Sequence, residues 1–91
     1  MSKYRKIDVR IWNDAKFRDL SHNAKLVFFF LLTHPNMTAL GAMRSTLSGL
    51  AEELDFESEA FREAFREALD KGMVKHDRTA CLIALPNFIK Y

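Results

Sequence analysis

The stretch AKLVFFFLLTHP, from Ala24 to Pro35, contains seven consecutive apolar residues, Leu26 to Leu32. Three structures bury such a run: a membrane-spanning helix, a buried strand, or a helix inside a small core. Seven residues of helix rise about 10 Å, against the roughly 30 Å of a bilayer core, so the run is too short to span a membrane. The choice therefore lies between a strand and a helix of the core.

The residues on either side of the run favour a helix. Ser21 is placed as an N-cap, and Pro35 disfavours the helical conformation at the residue before it. The segment His22–Thr33 between them is longer than a typical buried strand. Because Leu26–Leu32 would cover nearly the whole circumference of a helix, the sequence predicts a central helix enclosed on every side.

Two further helices are predicted from apolar positions that recur with helical period. Ser45 or Thr46 is expected to cap the first of them, whose stripe comprises Leu47, Leu50, Ala51 and Leu54. After a tight break at residues 55–57, the second helix carries its apolar face on Phe61, Ala64, Phe65, Ala68 and Leu69. Gly72 stands where a left-handed cap is wanted at the helix end.

Strands are predicted at both ends of the chain and once in the middle. In the segment 6–12, KIDVRIW, Ile7, Val9 and Ile11 alternate with polar residues, as in a half-buried strand. A polar connection anchored by Phe17 and Leu20 is expected to follow it. A short strand is predicted at residues 42–44, and MVKHD and CLIALPNF predict a hairpin joined through residues 77–80.

The order of these elements predicts an α+β winged helix-turn-helix, with three helices, a small antiparallel sheet and an extra N-terminal strand. Two helices separated by about three residues, followed directly by a hairpin, are typical of that motif with its wing. A plain three-helix bundle is the alternative, but it leaves the alternation in CLIALPNF unexplained. The length indicates a single domain over residues 1–91.

Composition and charge exclude several classes of protein. With 48% hydrophobic and 29% charged residues, the chain is too apolar for disorder. Its single cysteine, Cys81, excludes an internal disulfide framework and predicts a cytoplasmic location. Seven Lys/Arg against three Asp/Glu give residues 1–34 a net charge of +4, while residues 35–71 carry −4 and residues 72–91 carry +2. Such a dipolar surface permits nucleic-acid binding on one side.

Catalytic and metal-binding motifs are missing from the sequence. There is no nucleophile elbow and no phosphate-binding glycine loop, so an enzyme is not predicted. The spacing of His22, His34, His76 and Cys81 would not place two metal ligands on one face. We therefore expect no metal or cofactor, with the histidines scattered over the surface or edges and Cys81 at a core or edge position.

Several segments resemble a known family over almost the whole chain. IDVRIWNDAKFRDLSHNAKLVFFFLLTHP, LAEEL, FREAFREALDKGMVKHD and the closing LPNFIKY are similar to the N-terminal winged-helix domain of phage and prophage replication proteins. These proteins are of the replisome-organiser type and are similar to the DnaD group of primosome proteins. The resemblance implies binding to origin DNA, or to single-stranded or duplex DNA, together with self-association and recruitment of a helicase or helicase loader. It also implies that further chain follows Tyr91. The residues Asp55-Phe56-Glu57 depart from the small residue and Ser/Thr cap usual in that family's turn.

A DNA-binding surface is predicted from the helix-turn-helix geometry. The second helix presents Ser58, Arg62 and Arg66 in one row, because they are four residues apart. Arg44, Ser45 and Thr46 stand at the start of the preceding helix, and Lys75 and Arg78 stand on the wing. The predicted DNA-binding residues are Arg44, Ser45, Thr46, Ser58, Arg62, Arg66, Lys75 and Arg78.

Two alternatives remain open at this point. The arginines of the row could instead form ion pairs on a solvated face, with Glu59, Glu63, Glu67 and Asp70. The domain could also be a protein-interaction module that mediates self-assembly or partner docking with little affinity for DNA. Its predicted interface residues are Ile7, Val9, Ile11 and Trp12.

Overall fold

The computed structural model describes residues 7–88, which form four α-helices and a three-stranded antiparallel sheet. A 3-10 helix, Val9–Asn13, precedes the first α-helix. The helices are α1 (Ala15–Arg18), α2 (His22–Leu32), α3 (Leu47–Glu53) and α4 (Ser58–Asp70). The strands are β1 (Ala42–Arg44), β2 (Lys75–Asp77) and β3 (Leu82–Ala84). The α+β class is thus confirmed, with one helix more than the sequence predicted.

Helix α2 forms where the apolar run predicted it. The Ser21 hydroxyl caps its start by accepting from the Ala24 backbone N–H at 3.2 Å. Val27, Phe28, Leu31 and Leu32 are buried, but the predicted enclosure on every side is wrong, because Leu26 is 47% exposed. The domain is only 23 Å thick along its shortest axis, about the width of two helices. Helix α2 packs against α4 on one side, and only part of its other side is covered.

The predicted N-terminal strand is wrong; within the described residues this segment folds into short helical turns. The Asp8 carboxylate accepts from the Arg10 backbone N–H at 2.9 Å, and Asp14 caps α1 through the N–H groups of Lys16 and Phe17 at 2.9 and 3.2 Å. Such local bonds offer the backbone an alternative to an extended conformation. Burial follows the turn rather than a two-residue alternation, since Ile11 is buried and Val9 is 79% exposed. Lys6 lies outside the described residues.

The connection before α2 is anchored to the core by the two residues that the sequence predicted. Phe17 and Leu20 are both buried. The backbone N–H and hydroxyl of Ser21 donate to the two carboxylate oxygens of Glu67, at 2.6 and 2.8 Å. This long-range pair of bonds ties the start of α2 to the last turns of α4.

Helices α3 and α4 follow the predicted pattern closely. Thr46 caps α3 by accepting from the Gly49 N–H at 3.1 Å. The break between the helices turns at Asp55, whose φ of 59° is left-handed, and the Phe56 N–H bonds the Ala51 carbonyl at 2.9 Å. Helix α4 buries Phe61, Ala64, Phe65 and Ala68 and leaves Leu69 partly exposed, and Gly72 follows it at φ 72°.

The sheet has the strand order β1–β3–β2, which confirms the predicted short strand and hairpin. Met43 pairs with Ile83, which pairs with His76, and this row faces the helices, where Met43 and Ile83 are buried. Successive residues of a strand point to opposite faces. The flanking residues of the three strands therefore share the outer face of the sheet.

One histidine lies in the core rather than on the surface or at an edge. His34 is buried, its Nδ1 accepts from the Asn36 N–H at 3.0 Å, and its Nε2 lies 3.1 Å from a Glu53 carboxylate oxygen. Because Nδ1 accepts, Nε2 is the nitrogen that donates to Glu53. The prediction that all histidines are scattered over the surface or edges is therefore wrong for His34.

Within residues 7–88, every helix falls short of the length and apolar character that crossing a bilayer requires.

Candidate nucleic-acid interface

A shallow groove runs between α4 and the β2–β3 hairpin and ends at the start of α3. Arg62 and Arg66 of α4 line one wall, and Arg78 of the hairpin turn lines the other. Apolar and aromatic side chains also line it, namely Leu47, Phe65, Leu69 and His76. Two adjoining depressions share Arg62 and Arg78, so these two arginines stand where the groove reaches α3.

Helix α4 exposes the two arginines because of its strict amphipathic pattern. Phe61 and Phe65 are buried, which leaves positions 62 and 66 on the solvent side, one turn apart. Glu59 and Glu63 line the same groove. The charges around the larger depression are thus three arginines against two glutamates.

The arginines of α4 do not form the ion pairs expected of a solvated face. Within the described residues neither Arg62 nor Arg66 is ion-paired with a carboxylate. Arg62 donates instead to the Ser48 hydroxyl of α3, at 3.4 Å. Glu67, one of the expected acidic partners, bonds Ser21 at the start of α2. The guanidinium groups therefore keep donors available to a ligand.

The hairpin turn that carries Arg78 is fixed by its own side chains. The Asp77 carboxylate accepts from the Thr79 and Ala80 N–H groups at 3.0 and 3.1 Å, as in an Asx turn. His76 packs edge-on against Phe65 of α4, with ring centres 5.4 Å apart. These contacts hold the turn, and with it Arg78, against the groove.

Three of the predicted DNA-binding residues stand apart from this groove. Arg44 and Lys75 lie one residue from Met43 and His76, so they occupy the outer face of the sheet. Ser58 is exposed but does not line the groove. Strand alternation therefore separates Arg44 and Lys75 from the groove that Arg62, Arg66 and Arg78 line, and DNA binding by these residues stays a prediction.

Ser45 and Thr46 do reach the groove, at its α3 end. The Thr46 hydroxyl is already engaged as the cap of α3, so Ser45 and the neighbouring Ser48 supply the hydroxyl groups there. Cys81 lies beside them, exposed, with a left-handed φ of 53° in the hairpin turn. Of its two predicted positions, core or edge, the core position is wrong, because the turn leaves Cys81 exposed next to the start of β3.

Sequence reasoning missed two residues that shape the groove. Ser48 is the second residue of α3, and its contact with Arg62 spans two elements, so no local pattern signals it. Asp77 belongs to a recognisable pattern, an Asp that precedes a short polar turn, and this signal could have marked it as the residue that orients Arg78.

The predicted N-terminal interface residues divide into two pairs. Ile11 is buried and Ile7 is partly buried against the core, so neither is available to a partner. Val9 and Trp12 are exposed, and Trp12 contacts Phe17 and Phe29, with ring centres 5.3 and 5.8 Å apart. The separation follows from the 3-10 helix, in which residues two apart do not share a face.

Metal-binding groups of three or more His, Cys, Asp or Glu side chains are not found in the part of the chain that the structure describes. No protein-family model matches the chain, and comparisons with curated proteins and with solved structures give no significant match.

Proposed function

We propose that this chain is a DNA-binding winged-helix domain of a phage-type replication initiation or replisome-organiser protein. The observation that carries the DNA-binding part is the convergence of Arg62, Arg66 and Arg78, from two elements, on one open groove. Arginine fits phosphate oxygens and guanine edges through paired N–H donors. The absence of ion pairs at Arg62 and Arg66 among the described residues leaves those donors for DNA.

The order of elements supports the winged-helix class. Helix α3, a short turn and helix α4 have the layout of a helix-turn-helix, and the β2–β3 hairpin follows directly as a wing. In this arrangement α4 is the recognition helix, and Arg78 at the tip of the wing contacts the neighbouring backbone. The role in replication, self-association, a helicase or helicase loader as partner, and a cytoplasmic location rest on the family resemblance and on composition.

Affinity from this domain alone should be low. Glu59 and Glu63 repel phosphates on the same surface that presents the arginines. Three phosphate contacts predict a slope of about −2.7 for log K against log salt on a duplex. We expect a Kd in the non-specific range of roughly 10⁻⁴–10⁻⁶ M.

The test is a duplex titration by fluorescence anisotropy at several salt concentrations. Arg62→Ala with Arg66→Ala should weaken binding about tenfold or more without unfolding the domain, because both side chains are exposed. Arg44→Ala with Lys75→Ala, which removes the same charge from the outer face of the sheet, is the matched control and should have a smaller effect. Equal losses in the two double variants would show that the groove is not the DNA site.

The acidic side chains provide the opposite test. Glu59→Gln with Glu63→Gln should tighten duplex binding several-fold, because two negative charges leave the groove. Glu52→Gln, an exposed acid on α3 that does not line the groove, is the control. If neither the arginine nor the glutamate variants change binding, DNA does not meet this surface.

A second candidate function is a protein-interaction module that self-assembles or docks a partner. The exposure of Val9 and Trp12 favours it, since exposed Trp is typical of interface hot spots. Light scattering of the chain at rising concentration distinguishes the two functions. An interaction module increases in mass and binds duplex weakly with little salt dependence, whereas a DNA-binding domain shows the steep salt slope.

A further inference from the structure

An aromatic surface lies on the solvent side of α2, where the 3-10 helix crosses it. Trp12 is 59% exposed and rests against Phe29 and Phe17. Phe29 is partly buried, and Leu26, one turn earlier on α2, is partly exposed beside it. We call the surface formed by Trp12, Leu26 and Phe29 the Trp12 face. In this surface the exposed ring of Trp12 packs against the rings of Phe17 and Phe29.

The charges near the Trp12 face are predominantly unpaired cations. The Lys25 ammonium lies 6.0 Å from the centre of the Phe17 ring, the same ring that Trp12 contacts edge-on. Lys16 precedes Phe17 on α1 and is exposed. Neither lysine is ion-paired to any residue between 7 and 88.

Two of the three carboxylates in the same region form ion pairs, and the third caps α1. Asp8 binds Arg10 at 2.6 Å, and Asp19 binds Lys71 at 2.7 Å. Asp14 accepts from two backbone N–H groups at the start of α1. The region therefore carries the positive charges of Lys16 and Lys25 together with the carboxylate of Asp14, which caps α1.

We propose that the Trp12 face binds single-stranded nucleic acid by stacking a base on the Trp12 ring. Non-specific single-strand sites combine exposed aromatic rings with cations that follow the phosphate backbone. Lys16 and Lys25 supply those cations. A purely apolar docking face would not need the lysines, and a second copy that docked through its own Trp12 face would bring its lysines against them. Both features favour a polyanion that carries flat bases.

This site is separate from the α4 groove and does not depend on its function. Helix α2 packs against α4, and the Trp12 face lies on the side of α2 away from that contact. Arg62 and Arg66 lie on the side of α4 away from the same contact. The two surfaces therefore lie on different helices and share no residue, and each is tested independently.

The chain contains its own probe, because Trp12 is its single tryptophan. Titration with a deoxythymidine oligonucleotide of about 12 nucleotides should quench the Trp12 emission to saturation. With two phosphate contacts, log K should fall with log salt at a slope of about −1.4 for a single strand. A duplex bound only in the α4 groove should leave the emission unchanged.

Variants are compared by anisotropy of the labelled oligonucleotide, with circular dichroism to verify folding. Trp12→Ala should weaken binding about tenfold, whereas Trp12→Phe should retain most of it, because every aromatic ring offers a stacking face. Leu40→Ala, at another strongly exposed apolar residue, is the matched control and should change nothing. Arg62→Ala with Arg66→Ala should leave single-strand binding intact.

Three outcomes would overturn the proposal. The first is an emission that does not respond to the oligonucleotide at low salt. The second is single-strand binding that is lost in the Arg62→Ala and Arg66→Ala double variant but retained in Trp12→Ala. The third is an emission that changes with protein concentration alone, together with a rise in mass, which would make the Trp12 face a surface for self-association.

Discussion

Helices α2 and α4 pack against each other, but their sequences specify their buried sides very differently. In α4, charged and apolar residues separate cleanly, and the buried residues Phe61, Ala64, Phe65 and Ala68 are those that the period predicts. In α2 the run from Leu26 to Leu32 is apolar throughout, and the sequence does not indicate which residues face solvent. A segregated pattern fixes the orientation of a helix, whereas a uniform one fixes only that the helix belongs to the core.

The largest expected effect tests which side of α2 is buried. Phe28→Ala should cost about 3–5 kcal/mol, because its side chain is fully buried. A domain of this size has a free energy of unfolding of only about 5–10 kcal/mol, so the variant should be largely unfolded or poorly soluble. Leu26→Ala, on the exposed side of the same helix, should cost less than about 1 kcal/mol. Thermal melts with equal shifts for the two variants would contradict the assigned orientation.

A smaller effect tests the bonds that join the two helices. Glu67→Ala removes the acceptor of the Ser21 N–H and hydroxyl and should cost about 1–2 kcal/mol, discounted for partial exposure. Glu63→Ala, one turn away on the groove side of α4, is the control and should be close to neutral. Urea denaturation measures the free energy of unfolding of both variants. If Glu63→Ala were as unstable as Glu67→Ala, the loss would come from the helix propensity of α4 and not from the bonds to Ser21.

The end of α4 offers a third test, this time of backbone strain alone. Gly72 has a φ of 72°, and a Cβ built there meets no atom within 4 Å. Gly72→Ala should therefore cost about 1 kcal/mol through its left-handed conformation only. Gly72→Asn should cost less, because Asn tolerates that region better. A melting temperature unchanged by Gly72→Ala would argue against the left-handed end of α4.

The smallest expected effect concerns the partial cover of α2 by the 3-10 helix. Hydrogen bonds from the Arg10 side chain and backbone lower the pKa of Asp8 to about 2. Because this pKa lies below its unfolded value of about 3.9, the contribution of Asp8 is present above pH 4 and is lost as the pH falls towards 2. As the pH falls from 4 to 2, the wavelength of Trp12 fluorescence emission should shift before circular dichroism detects global unfolding.

The same experiment on Asp8→Asn provides the comparison, since that side chain does not titrate. The early shift of Trp12 emission should be missing in the variant. An identical shift in both proteins would assign it to other carboxylates.

Much of the candidate groove could be predicted from the sequence, but its outline could not. The exposed positions of Arg62 and Arg66 followed from helical period, and the hairpin that carries Arg78 followed from its strands. The exclusion of Arg44 and Lys75 depended on strand register, which a three-residue strand does not reveal in its sequence. The contact between Ser48 and Arg62 joins separate helices and has no local signal.

The sequence by itself determined those elements of secondary structure that depend on neighbouring residues in the chain. Ser21 and Thr46 cap helices through their own hydroxyl groups, and the pattern of α4 separates its two faces. Only the tertiary structure decided the rest. The segment from Ile7 to Ile11 alternates like a strand. Local hydrogen bonds from Arg10 to the Asp8 carboxylate nevertheless outweigh pairing with a distant partner strand. Which side of α2 remains exposed was settled by where α4 packs, because a domain two helices thick cannot enclose an apolar helix completely.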